Sequence, residues 1–174
     1  ATCRFRGRWI WLRRQGILDE VTPIYCPAFE EWSNHGNIHS VSLYFVSGYL
    51  GNPASYYGHT FVKFNSDGQN RRSKLLDRAL NFGAVVPDDE NVFAYIIKGI
   101  AGRYEGSFSN TEFSYLTKTY NHTENRDLWE YHLNLSGSQL ELFIAHSWEL
   151  IDQRYRTIFL GKTVAIELFR FSMW

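Results

Sequence analysis

One histidine is set apart by its surroundings. His59 follows the run Gly48-Tyr49-Leu50-Gly51-Asn52-Pro53-Ala54-Ser55-Tyr56-Tyr57-Gly58 and precedes Thr60-Phe61. Turn-forming residues dominate up to Gly58. Beyond it Thr60, Val62 and Phe64 alternate with Phe61 and Lys63, a strand pattern. The imidazole therefore stands at a loop-to-strand junction, where rigid scaffolds present side chains to ligands. It titrates near neutral pH and suits general-base work. A cysteine nucleophile needs such a partner, because the thiolate is the reactive species. The base in turn needs an orienting group. Asn81 and Asp77 fall on the next expected strand, and either could bond the distal ring nitrogen. Asn81, followed by Phe82 and Gly83, lies toward the mouth, whereas Asp77 has Arg78 and Arg72 as competing partners.

The remaining chemistry-bearing residues form weaker sets. His35 and His39 have metal spacing only on a helix, which Asn34, Gly36 and Asn37 oppose. His122 falls in a polar turn and His132 on the polar side of a strand. His146 precedes Glu149 on an expected helix, but no H-E-x-x-H or comparable set completes a metal site, so a buried histidine bonded to a carbonyl or carboxylate is the simpler reading. No metal and no cofactor is expected. Glu30 and Glu31 are adjacent and do not face each other on a helix. Asp88-Asp89-Glu90 reads as a solvated turn. No G-x-S-x-G elbow supports serine chemistry.

The elements that must position His59 follow from periodicity. Phe5 to Gln15 reads as a short helix punctuated by Gly16, and Cys26-Pro27 opens a second helix through Trp32. Val41, Leu43 and Phe45 mark a strand before the glycine-rich loop. A strand from His59 to Phe64, the turn Asn65-Ser66-Asp67-Gly68 and an arm from Leu75 to Phe82 make a hairpin. Val92 to Ile97 fits helix or strand. Lys98 to Gly106 reads as a glycine-rich loop lacking the order of a phosphate loop. Thr111 to Tyr120 reads as a helix and Arg126 to Leu135 as a strand. Ser138 with Glu141 has the spacing of a capping box for a helix through Leu150. Thr163 to Met173 is apolar, helix or strand.

Composition bounds the rest. The 174 residues suit one compact domain, 1–174, with 1–37 as an N-terminal lead-in. Hydrophobic residues at 44% and charged residues at 21% describe a folded chain. Six Trp, 11 Tyr and 13 Phe can fill a core or line an apolar groove. Net charge is zero, which gives no case for nucleic acid. Arg4, Arg6, Arg8, Arg13 and Arg14 around Trp9-Ile10-Trp11-Leu12 read either as an anionic-membrane contact or as a solvated basic face with its aromatics in the core. No run has the roughly 20 apolar residues of a membrane span, and the start Ala1-Thr2-Cys3 fits a processed or trimmed end. Cys3 and Cys26 either form a disulfide in an oxidising compartment or remain two buried thiols.

Several segments together resemble one family. They are Cys3-Arg4-Phe5, Cys26-Pro27-Ala28-Phe29-Glu30-Glu31-Trp32, Gly51-Asn52-Pro53-Ala54-Ser55-Tyr56-Tyr57-Gly58-His59-Thr60-Phe61, Leu76-Asp77-Arg78-Ala79-Leu80-Asn81-Phe82-Gly83-Ala84, Lys98-Gly99-Ile100-Ala101-Gly102, Arg126-Asp127-Leu128-Trp129-Glu130-Tyr131 and His146-Ser147-Trp148-Glu149-Leu150. This set is similar to the Lnb-type N-terminal periplasmic domain. The resemblance implies an α+β fold of the permuted papain-like (NlpC-like) type, with a central antiparallel sheet packed against helices. It implies an extracytoplasmic, periplasmic location, a lipid or lipoprotein substrate at the membrane surface, and a membrane region that can follow the domain. It also implies cysteine-dependent acyl transfer or hydrolysis, with His59 as base, Asn81 (or Asp77) orienting it, and a cysteine from an Asn-Cys pair as nucleophile. That pair falls on Lys162-Thr163, so position 163 carries threonine, whose hydroxyl is hard to ionise. Cys26 at a helix start is an alternative nucleophile. A non-catalytic module binding lipid, peptidoglycan or a protein is the competing reading.

Overall fold

The structure, a computed structural model, describes residues 2–22, 24–51, 55, 57–66, 74–87, 89–101 and 103–156. The helices are α1 (Arg6–Arg14), α2 (Pro27–Trp32), α3 (Val92–Ile100), α4 (Phe113–Thr117) and α5 (Gly137–Leu150). The strands are β1 (Ile38–Val46), β2 (His59–Ser66), β3 (Arg78–Val85), β4 (Glu105–Glu112), β5 (Leu128–His132) and β6 (Arg154–Arg156). They form one six-stranded sheet in the order β5-β1-β2-β3-β4-β6, with every strand pair antiparallel. The fold is α+β, a central antiparallel sheet against flanking helices.

Strand alternation sorts side chains onto two faces. On one face Val41, Val62, Phe64, Leu80 and Phe108 join Trp9 and Ile10 of α1, Phe29 and Trp32 of α2, and Phe143 and Ile144 of α5 in a single core. The aromatic rings interlock there: Trp32 lies 5.2 Å from Phe64 edge-on and 5.7 Å from Trp148. On the other face Tyr44 stacks on Phe61 with centroids 5.1 Å apart, and Phe113, Leu116 and Tyr120 cover them. The second layer is thinner, and it is the layer into which His59 points.

The lead-in is helical and fastened. Cys3 and Cys26 form a disulfide. Arg4 donates to the carbonyls of Trp148 and Ile151 at 3.1 and 2.6 Å, and the Trp148 indole donates to the Cys3 carbonyl at 2.8 Å. Arg8 pairs with buried Glu149 at 3.2 Å, and Arg14 with Glu141 at 2.6 Å. Arg4, Arg8 and Arg14 thus spend their charge on α5 and the residue that ends it, Arg6 and Arg13 lie over the Trp9 ring, and Trp9 and Ile10 enter the core. Gly7 permits the approach: a Cβ there would lie 3.0 Å from the His146 backbone.

Several boundaries differ from the sequence expectation, most of them because of strand pairing. The arm expected at Leu75–Phe82 is β3 at Arg78–Val85, because pairing with β4 continues past Gly83 to Val85 opposite Glu105. Asp77 therefore lies just before the strand. The loop expected at Lys98–Gly106 is mostly absorbed, since α3 runs to Ile100 and β4 starts at Glu105. The helix expected over Thr111–Tyr120 shrinks to α4, because Thr111 and Glu112 are held in β4 by Ala79 and Arg78, and a π turn follows over Lys118–Thr123. The strand expected over Arg126–Leu135 is only Leu128–His132, an edge strand that leaves Trp129 and Tyr131 exposed. The helix cap is not Ser138 with Glu141. Ser136 accepts from the Gln139 amide while the Gln139 side chain takes the Ser136 N–H, so the reciprocal box sits two residues earlier. The expected element at Thr163–Met173 lies outside the described residues.

The disulfide closes a loop of 23 residues. Chain-entropy reasoning puts its contribution at about 3 kcal/mol. A Cys3→Ser, Cys26→Ser double variant is expected to lose that much in denaturant-unfolding free energy while keeping the β-sheet circular-dichroism signal. A loss under about 0.5 kcal/mol would contradict the fastening role.

Candidate functional site

β1 and β2 run side by side from Val46 opposite His59 to Val41 opposite Phe64. β3 joins on the far side with Phe61 opposite Asn81. His59, Phe61 and Asn81 thereby share the face away from the α1–α2–α5 core. Asn81 accepts a short hydrogen bond through Oδ1 from His59 Nε2. The acceptor is an amide oxygen, so Nε2 carries the ring hydrogen and Nδ1 keeps its lone pair. Nδ1 is the atom that could take a proton from a nucleophile.

The loop that delivers the histidine is held at both ends. Ser47 N–H bonds the Asp127 carbonyl at 3.0 Å, and the Tyr49 and Gly58 amides both bond the Ser55 carbonyl at 3.0 Å. Gly58 has φ +88°, and a Cβ on it would lie 2.5 Å from the Val46 carbonyl oxygen and 2.9 Å from the Phe45 ring. The glycine is required both for its left-handed backbone and for the close approach.

Around the imidazole the described residues supply one ring and two charges. Tyr120, from the π turn, lies 5.8 Å from the His59 ring and stacks on Phe61 at 6.1 Å. Arg126 lies over the Tyr120 ring with its guanidinium 5.0 Å from the centroid, and it pairs with Glu124 at 2.8 Å. Burial pushes the His59 pKa below its ordinary 6.5, and Arg126 pushes the same way; the Asn81 bond and Glu124 act against them. The neutral imidazole, the base form, is therefore the resting form at neutral pH.

The other sequence candidates lie elsewhere. Asp77 does not reach His59. It is buried in an ion pair with Lys63 at 2.8 Å and accepts a short bond from the Ser66 hydroxyl; Lys63, not Arg78, is its partner because the β2 pleat turns Lys63 onto the same side. Cys26 is corrected as a nucleophile: its sulfur is in the disulfide, and it is buried in the core on the other face of the sheet. Thr163 lies outside the described residues. His132 Nδ1 meets the Ser42 hydroxyl at 3.0 Å. The Glu149 carboxylate serves Arg8 rather than a metal, and no group of three or more metal-ligating side chains occurs among the described residues. Tyr120, Glu124 and Arg126 were missed as site residues. Arg126 sits two residues before the start of β5, on the His59 side by alternation, and that register was the available signal; nothing local marks Tyr120.

A cavity of about 340 Å³ lies at the opposite end of the sheet, lined by Trp32, Phe64, Asp77 and Glu112 among others, and does not open on His59. The loop after β1 and the connection carrying α3 both leave the sheet at the His59 end. The first exposes Leu50 and Tyr57, and on the second Phe93 and Ile97 are 78% and 65% exposed.

The arrangement defines an α+β sheet protein with an amide-oriented histidine at a strand edge. The chain belongs to the Lnb N-terminal periplasmic domain family, whose model matches residues 28–166. It is a bacterial envelope domain on the extracytoplasmic side of the membrane. No curated protein and no solved structure matches the chain. Among the described residues no helix is long and apolar enough to cross a membrane.

Two outcomes follow from the site. His59 and His146 are both held below the ordinary 6.5, each chiefly by burial. The unfolded chain then binds more protons than the folded one below that value, so stability is full above about pH 6.5 and falls as the solution is acidified. The thermal midpoint should drop between about pH 7 and pH 5, and His59→Gln and His146→Gln should each flatten part of that slope. Gly58→Ala should cost about 1–3 kcal/mol, read from the denaturant midpoint.

Proposed function

We propose that this domain carries the base half of a cysteine-type acyl-transfer or acyl-hydrolysis site for lipid or lipoprotein substrates, with position 163 as the nucleophile slot. The observation that carries the reading is the Asn81 acceptor on Nε2, which fixes the tautomer leaving Nδ1 basic. A thiol at the slot would give its proton to Nδ1. The thiolate would attack the acyl carbonyl, and the leaving group would depart with the proton returned by Nδ1 as the thioester forms, which restores the neutral base. An amine or water activated by the same nitrogen would then release the acyl group. Threonine offers only a weakly acidic hydroxyl, so this chain turns over slowly or not at all by that route.

Exposed apolar residues favour a second reading, an apolar-ligand module without chemistry. Leu50 and Tyr57 on the loop before His59, and Phe93 and Ile97 on α3, are exposed apolar side chains of the kind that can take up acyl chains.

Intact-protein mass spectrometry after incubation with a long-chain acyl p-nitrophenyl ester separates the two. The native chain should gain no acyl mass, Thr163→Cys should gain one acyl group, and Thr163→Cys with His59→Ala should label at least 100-fold more slowly. Equal labelling of the last two variants would remove His59 as base. No labelling of Thr163→Cys, with the ester still retained by the protein, would favour the binding module.

A further inference from the structure

Arg126 is buried on the His59 face, yet no part of the base–amide pair requires it. Its backbone N–H bonds the Tyr120 carbonyl at 2.9 Å, which closes the π turn. Its Nε donates to the Ser47 carbonyl at 2.6 Å, at the residue where the histidine-bearing loop begins. Its Nη1 pairs with Glu124 at 2.8 Å, and its guanidinium plane covers the Tyr120 ring. Tyr120 in turn lies against both His59 and Phe61. A planar, forked cation can hold a carbonyl, a carboxylate and a ring face at once; a point-charge ammonium cannot.

We propose that Arg126 is a positioning residue for His59: anchored on Ser47 and Glu124, it fixes Tyr120 as the wall against which the imidazole lies. The wall limits the ring to the orientation in which Nε2 meets Asn81, and it keeps water from one side of the ring. The groups facing His59 among the described residues are Asn81 from β3, Tyr120 from the π turn, and Arg126 with Glu124 from the segment before β5. Both loss of the wall and loss of the cation move the His59 titration upward, so direction alone does not separate positioning from simple charge. The conservative variant does. Arg126→Lys keeps the charge and loses the fork, while Tyr120→Leu keeps Arg126 and loses the wall.

The inference rests on His59 being the base, but its test needs no acyl donor, so a failed labelling experiment and a failed titration are separate results. His59 is titrated by NMR in the native chain and in Arg126→Gln, Arg126→Lys and Tyr120→Leu, with amide spectra confirming the fold. The NOE between the His59 and Tyr120 rings is recorded alongside. Positioning predicts that Arg126→Lys and Tyr120→Leu each raise the midpoint by about half a pH unit or more, and that both arginine variants lose the NOE. A purely electrostatic or turn-sealing arginine predicts that Arg126→Lys restores the native midpoint and NOE and that Tyr120→Leu leaves the midpoint in place. That result overturns the proposal. If Arg126→Gln does not fold, the lysine and leucine variants decide the question alone.

Discussion

Register is the constraint on which the site depends. β2 is held between β1 and β3 with Val46 opposite His59 and Phe61 opposite Asn81. A one-residue slip would turn every β2 side chain to the other face. His59 would then point into the aromatic core, and Phe64 would leave it. The large burial on the core face therefore fixes where the imidazole points. Val41, Val62, Phe64 and Leu80 are essentially inaccessible to water, and each would cost on the order of 2 kcal/mol to expose. The geometry of the pair is stabilised by residues that never touch it.

The polar side of the sheet works differently. Beyond Phe61 on that face the chain buries Lys63 with Asp77, and Asn65 donates to the hydroxyls of Ser40 and Ser42 at 3.1 and 2.9 Å. Lys63 also bonds Asn65 at 2.7 Å and lies over the Phe113 ring at 5.0 Å. Such a pair contributes little net stability, because desolvation offsets most of the attraction, but breaking one member leaves a buried charge unpaired. The network ties β2 to the segment preceding β3 and so fixes the register from the end opposite His59. Hydrophobic burial sets which face points inward, and the ion pair sets where along the strand the pairing begins.

Much of this was legible in the residues. The break from turn formers to alternation at Gly58 located His59, and hairpin logic brought Asn81 to the neighbouring strand. The two cysteines, Pro27 at a helix start and the apolar spacing of α5 described the other layer. The failures have two causes, strand pairing and irregular local geometry. Thr111 and Glu112 have helix-compatible neighbours and are claimed by β3 instead, so tertiary pairing overrode local pattern. Trp129 and Tyr131 alternate like core residues but occupy an edge strand and are exposed. Asp77 has an arginine beside it in sequence, yet the pleat offers it Lys63. Tyr120 reaches His59 through a π turn, a local geometry without a sequence signature. Partners chosen by register can be anticipated once the strands are known, whereas those delivered by an irregular turn cannot.

The fastening of α1 to α5 also has a consequence for how the chain is assembled. Arg4 and Cys3 bond atoms of Trp148 and Ile151, more than 140 positions away. α1 and the turn before it are thus seated on α5, the last helix among the described residues. A polypeptide passing through a membrane with its N-terminus leading would deliver Trp9 and Ile10 long before Phe143 and Ile144 arrive to cover them. Contacts of such long range form late and slowly. The part of the core between α1 and α5 cannot close until α5 has followed, so the seating of the first helix on the last is a late event in folding.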